Sequence, residues 1–169
     1  MAYFWPKNCT VMLKKSLMYI PGFNFCALLC NAIFVDRFNR KNAIESCDLT
    51  LKEIKEKNVK VWIFPEGTRN TDDTFLPFKK GAFHLAQQAK IPIVPVVFSS
   101  YKPFYDKKNF KFVYGGKIIA EALPPIDSSK YADVTSLAEV TREKMLAVYP
   151  RLSAEAAERM RLATESKTK

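Results

Sequence analysis

The stretch that most limits the possible folds runs from Asn42 to Arg69, where a helical pattern hands over to a short apolar strand that stops at a polar turn. Ile44, Cys47, Leu51 and Ile54 recur at the spacing of one helix face, Asn42 and Glu45 resemble a capping box, and Asn58 is a suitable stop. The run Val59-Lys60-Val61-Trp62-Ile63 then reads as a strand, ending in Phe64-Pro65-Glu66-Gly67-Thr68-Arg69. A helix over 80–89 feeding an apolar run over 91–98 repeats this order, and the repeat predicts crossover units in a mostly parallel sheet.

A chain of 169 residues with 48% hydrophobic content can bury one core of ordinary size. The expectation is therefore a single α/β domain over 1–163, with a mostly parallel central sheet flanked by helices and a C-terminal helical segment, followed by a polar tail over 164–169. Ahead of the strand, 11–19 and 25–32 read as short helices broken at Pro21-Gly22, with Ile33-Phe34-Val35 extended after them. Beyond it, the β-branched run 91–98 suits a buried parallel strand despite its two prolines. Phe110, Phe112 and Tyr114 alternate before Gly115-Gly116, and 117–123 continues past them, which predicts a hairpin or bent edge pair there. Helices are expected over 134–148 and 153–163.

Lys and Arg number 27 against 17 Asp and Glu, a balance of +10 that favours anionic partners: nucleic acid, acidic membrane surface or phosphate-bearing small molecules. Charge alone does not choose among them. Cys9, Cys26, Cys30 and Cys47 lack zinc-site spacing, and Cys26 and Cys30 stand four apart among apolar residues, so buried thiols in a reducing compartment are expected. No run reaches the roughly 18 apolar residues of a spanning helix, and the start is unlike a secretory signal.

In open α/β sheets ligands bind beyond the carboxyl ends of strands. At the exit of the 59–64 strand, Gly67 would let backbone approach a ligand, Thr68 offers a hydroxyl, and Arg69 carries a planar fork matched to phosphate oxygens, with Glu66 placed to orient it. The simpler alternative is a strand-to-loop turn with a surface arginine.

The company of this turn is more specific. Phe34-Val35-Asp36-Arg37, Phe64 to Arg69, and Ile91-Pro92-Ile93-Val94-Pro95-Val96 resemble, in order, the second, third and fourth blocks of the glycerolipid acyltransferases. Lys14-Lys15-Ser16-Leu17 and Pro77-Phe78-Lys79-Lys80-Gly81-Ala82-Phe83 also read like that family, so the resemblance covers roughly Trp5 to Ile126. It implies an acyl-CoA-dependent O-acyltransferase that converts lysophosphatidate to phosphatidate in phospholipid synthesis, working at a membrane surface, with the endoplasmic reticulum as the implied location. Under it, Glu66, Gly67, Thr68 and Arg69 hold the acceptor phosphate, Arg37 adds a second positive contact, and Lys14 or Lys15 is a further candidate. The 91–96 segment walls the acyl channel, with Pro95 shaping the strand end. Acyl-CoA is a co-substrate; no cofactor, metal or protein partner is implied.

Two departures stand out. The family's His-x4-Asp block, whose His serves as base, has no counterpart among these residues; the resemblance puts it upstream of Met1 and leaves no catalytic residue in this chain. The sole histidine, His84, follows the phosphate signature and has Ala89 five residues on, so it reads as a structural residue of its helix. Asn24 and Asn31 stand near where the family has glycines. The alternative function is a non-catalytic peripheral membrane module that binds phosphorylated lipids. Nucleic acid is a weaker option, since no recognition motif is present and the aromatic residues fall mostly in presumed core elements.

Overall fold

The computed structural model describes residues 5–35, 50–52, 54, 56, 58–68, 70, 72–106 and 109–165. Strand β1 (Cys9–Lys14) is the centre of a parallel sheet, flanked by β2 (Ile33–Val35) and β3 (Lys60–Trp62). Met12 lies opposite Ile33 and Thr10 opposite Val61. The helix expected over 11–19 is therefore a strand followed by a single 3-10 segment, Lys15–Tyr19. Thr10 and Val11 are β-branched, and pairing along both edges of β1 outweighs the local helical reading.

The connection from β1 to β2 contains helix α1 (Phe23–Leu29), which starts after Gly22 at φ +79°. Asn31 then adopts φ +49°, a left-handed conformation that asparagine tolerates better than most residues. Its carbonyl accepts the Thr10 hydroxyl at 2.6 Å, which ties the end of α1 to the central strand. Before β3 the backbone is helical at Thr50, Leu51, Lys52, Ile54 and Glu56, with Thr50 and Ile54 buried. The capping box at Asn42 and Glu45 lies outside the described residues.

Helix α2 (Gly81–Ala89) buries Phe83, Leu85 and Ala86 and ends at Lys90 with φ +55°. Strand β4 (Val96–Phe98) pairs antiparallel with β7 (Ala120–Ala122), so the expected second parallel unit is absent among the described pairings. Pro92 and Pro95 cannot donate to a ladder, which confines regular pairing to three residues. Between them β5 (Tyr105–Asp106) and β6 (Lys111–Phe112) form a hairpin whose turn precedes Phe112, rather than one at Gly115-Gly116.

The C-terminal pair of helices is one helix, α3 (Val134–Glu165), with Pro150 inside it. An interior proline costs about 3 kcal/mol. Here Leu152 and Ala156, beyond the proline, are buried like Leu137 and Met145 before it, and continuing the helix keeps all four packed. Asp133 caps the start by accepting the Thr135 and Ser136 amides at 2.7 and 3.0 Å. The core has two clusters, Phe83–Ile126–Val134–Leu137–Ala138 and Val97–Leu123–Met145–Leu152, and Phe78 packs against both.

Candidate functional site

Strand β3 ends where the Gly67 amide donates to the Phe64 carbonyl at 3.1 Å, closing a turn over Pro65 and Glu66. Gly67 has φ +66°, the region that favours glycine. The turn is braced by the segment that returns past it. The Leu76 amide donates to Glu66 Oε2 at 2.9 Å, and the Lys79 amide donates to the Pro65 carbonyl at 2.8 Å. Phe75 and Phe78 root that segment in the core, while the Arg142 guanidinium, from α3, donates to the carbonyls of Phe75 and Leu76.

This bracing lays the Lys79 side chain over Gly67. A Cβ at position 67 would meet Lys79 Cδ at 2.8 Å and Nζ at 3.0 Å. Glycine lets the flexible end of the lysine lie against the turn without a shift, which brings the turn and an ammonium group together. Lys79 is not among the sequence candidates. Its only local signal is the pair Lys79-Lys80 just ahead of Gly81, and the two lysines are separated in use: Lys80 Nζ donates to Thr135 Oγ1 at 2.8 Å on α3.

Of the sequence candidates, Glu66, Gly67 and Thr68 share the turn, with Thr68 exposed. Glu66 is engaged by the Leu76 amide. Arg69 and Arg37, and with them the expectations that Glu66 orients Arg69 and that both arginines face one crevice, lie outside the described residues. Pro95 is buried at the opening of β4, where its carbonyl accepts the Leu123 amide at 2.8 Å. Lys14 and Lys15 are exposed at the end of β1, and His84 is on the exposed face of α2.

An aromatic row adjoins the turn. Trp62 stacks on Trp5 at 5.4 Å between centroids and meets Phe64 at 6.5 Å and Phe98 at 6.4 Å. Phe64 is half exposed at the end of this row, giving the polar turn an apolar neighbour.

Two sequence expectations are corrected. Cys26 and Cys30 are exposed, because the α1 face that carries them is uncovered; Cys9 is half-buried and its thiol is pushed up by burial, partly offset by Lys60 and a backbone hydrogen bond. Several aromatic residues of presumed core elements lie outside the core: Tyr19, Phe25, Phe110, Phe112 and Tyr114 are exposed. Among the described residues, no helix is long and apolar enough to cross a membrane.

A family model described as Acyltransferase matches residues 1–99. The chain is 52% identical over 157 residues to acl-1 of Caenorhabditis elegans, which carries 1-acyl-sn-glycerol-3-phosphate acyltransferase as a provisional name; the match covers 93% of this chain and 60% of that protein. It is 38% identical over 150 residues to the alpha form of that acyltransferase from Mus musculus, covering 88% of this chain and 53% of the relative. The crystal structure of the 1-acyl-sn-glycerophosphate acyltransferase PlsC from Thermotoga maritima superposes with a TM-score of 0.67 at 25% identity, covering 87% of this chain and 58% of that one. The chain thus spans roughly half to three fifths of the length of these relatives. By its matched residues and by its fold, it belongs to the acyltransferase family.

Proposed function

We propose that this chain supplies the acceptor site of an O-acyltransferase that moves an acyl group from acyl-CoA to lysophosphatidate, giving phosphatidate for phospholipid synthesis. The observation that carries this reading is the Lys79 ammonium laid over the Gly67 turn, beside the exposed hydroxyl of Thr68. A phosphate monoester at that turn meets a cation and a hydroxyl, and the Arg69 guanidinium follows next in sequence. Arg37 is assigned as a second arginine contact, and Pro95 as a shaping residue of the apolar segment. The half-exposed row through Phe64 suits a hydrocarbon chain better than a charged ligand.

In the transfer, the acceptor hydroxyl oxygen bonds to the thioester carbonyl carbon, the carbon–sulfur bond breaks, and coenzyme A leaves as the thiol with the hydroxyl proton. That proton needs a base, and the 169 residues contain no His-x4-Asp. Absence of a general base costs about 10²–10⁴-fold in rate. The test is radiolabelled acyl transfer by this chain and by a form carrying a relative's His-x4-Asp segment ahead of Met1. The extended form should gain activity, and Arg69→Glu in it should abolish acceptor saturation; an inactive but folded extended form defeats the enzyme reading. Membrane association at the endoplasmic reticulum belongs to the same proposal. A non-catalytic lipid-binding module is the second reading, favoured by the exposed Tyr19, Phe25 and Leu29; it predicts lysophosphatidate binding with no transfer in either form.

A further inference from the structure

Between residues 101 and 118 the sequence has Lys102, Lys107, Lys108, Lys111 and Lys117 against Asp106 alone, five positive charges less one negative, or +4. The same segment leaves Phe110 96%, Phe112 73% and Tyr114 88% exposed. Rings of this kind each offer about 150–250 Å² for burial, and a hairpin holding three of them in water beside lysines has the composition of an interfacial element.

The projection is braced. The Val113 amide donates to the Phe104 carbonyl at 2.8 Å, and Asp106 accepts the Asn109 side-chain amide at 2.6 Å within the turn. The Phe104 ring lies on Gly116, where an added Cβ would collide with it. At the root, Tyr101 Oη donates to the Asn70 carbonyl at 2.9 Å, and Ser100 and Lys102 both donate to the Asp73 carboxylate. The hairpin therefore rises from the residues just downstream of the Gly67 turn.

We propose that the β5–β6 hairpin docks this protein on an anionic lipid surface, with Phe110, Phe112 and Tyr114 entering the headgroup boundary and the exposed Lys111 and Lys117 meeting lipid phosphates. Charge complementarity selects an anionic occupant. The choice of lipid over other polyanions rests on the lysophosphatidate reading, because the hairpin's root then sets the acceptor turn beside the surface from which a lipid would enter.

The experiment is co-sedimentation of the full chain with phosphatidylcholine vesicles, with and without phosphatidylserine. Binding should require phosphatidylserine and fall at least about tenfold in F110S/F112S, through lost apolar burial. Lys111→Glu should weaken it by about fivefold or more at low salt. In Phe110→Trp, the indole emission should shift to the blue on adding phosphatidylserine vesicles and be quenched by brominated acyl chains. Arg69→Glu should lose lysophosphatidate binding yet keep vesicle binding, and F110S/F112S should keep lysophosphatidate binding in detergent; this separates failure of the docking surface from failure of the acceptor site. The proposal is overturned if the wild type ignores phosphatidylserine vesicles, or if F110S/F112S binds them unchanged. It is equally overturned if the emission of the Phe110→Trp variant does not move, if the rings instead retain a single-stranded oligonucleotide, or if they hold a dimer seen by light scattering.

Discussion

The parallel-sheet region up to Thr68 and the region from Phe75 onward are both rich in apolar side chains but use them differently. From Phe75 onward, Val97, Leu137 and Leu152 are essentially sealed, and Phe75, Phe78, Phe83 and Tyr149 interlock around them. In the sheet region only Ala27 and Ile54 are buried apolar residues among those described, while Tyr19, Phe25, Leu28 and Leu29 are mostly exposed. Parallel sheets are ordinarily covered on both faces. Here the strands are held by their ladders and by Trp62 meeting Phe98, so apolar composition sets strand pairing in one region and packing in the other.

The largest test of this contrast is Leu137→Ala against Leu28→Ala. The first should cost about 2–5 kcal/mol by cavity formation and the second less than about 0.5 kcal/mol, read from urea midpoints. Equal costs would mean that the exposed face of α1 is covered in solution, and the contrast between the two regions would fail.

Arg142→Ala probes the support behind the join between them, the segment whose Leu76 and Lys79 amides reach back to Glu66 and Pro65. Its guanidinium satisfies the carbonyls of Phe75 and Leu76 on the segment that carries Lys79. Charged hydrogen bonds of this kind contribute about 1.5–3 kcal/mol. The loss should reach the turn as well, weakening lysophosphatidate binding through the segment rather than through any contact of Arg142 with the turn itself. A variant that loses stability but binds the acceptor normally would show that the turn holds its shape without α3.

Gly67→Ala should cost about 1–2 kcal/mol, since the residue must keep a left-handed backbone and displace the Lys79 stem. Gly81→Ala is the control, as its added methyl meets nothing within 4 Å. Should the two variants melt together, the left-handed backbone at Gly67 would not be a feature of the folded protein.

Much of this is legible in the sequence, unevenly. The turn after β3 can be placed because glycine and its polar neighbours follow an apolar strand at once, and α2 because its period is clean. β1 reads wrongly as helix because Val11, Met12 and Leu13 fit either pattern, and only two strand partners distant in sequence decide it. Pro150 suggests a break that the burial of Leu152 overrides. Lys79 escapes a sequence reading because its role depends on a contact across the Gly67 turn, which no local pattern encodes. The exposed hairpin passes for core edge because alternating aromatic residues look alike whether they face a core or solvent.

The smallest effect expected is with pH, and it bears on the corner that joins the turn's downstream segment to α3. The Asp73 carboxylate is held below the usual range chiefly by the hydrogen bond from Lys102, with further help from Ser100, the Lys102 charge and the Tyr149 hydroxyl; burial opposes them. Asp133 is lowered by the Ser136 amide and hydroxyl and by Thr135. Both groups have folded values below their unfolded ones, so each contributes stability that is complete above about pH 4, the ordinary carboxylate range, and is lost as pH falls through the lower folded value. Because Asp73 and Lys102 are exposed and screened by solvent, the contribution is modest and shrinks further in salt. The thermal midpoint should therefore be flat through neutral pH and decline below about pH 4. In Asp73→Asn that decline should be shallower, with the difference vanishing at high salt; an unchanged slope would mean that the Asp73–Lys102 pair does not hold this segment to the root of the hairpin.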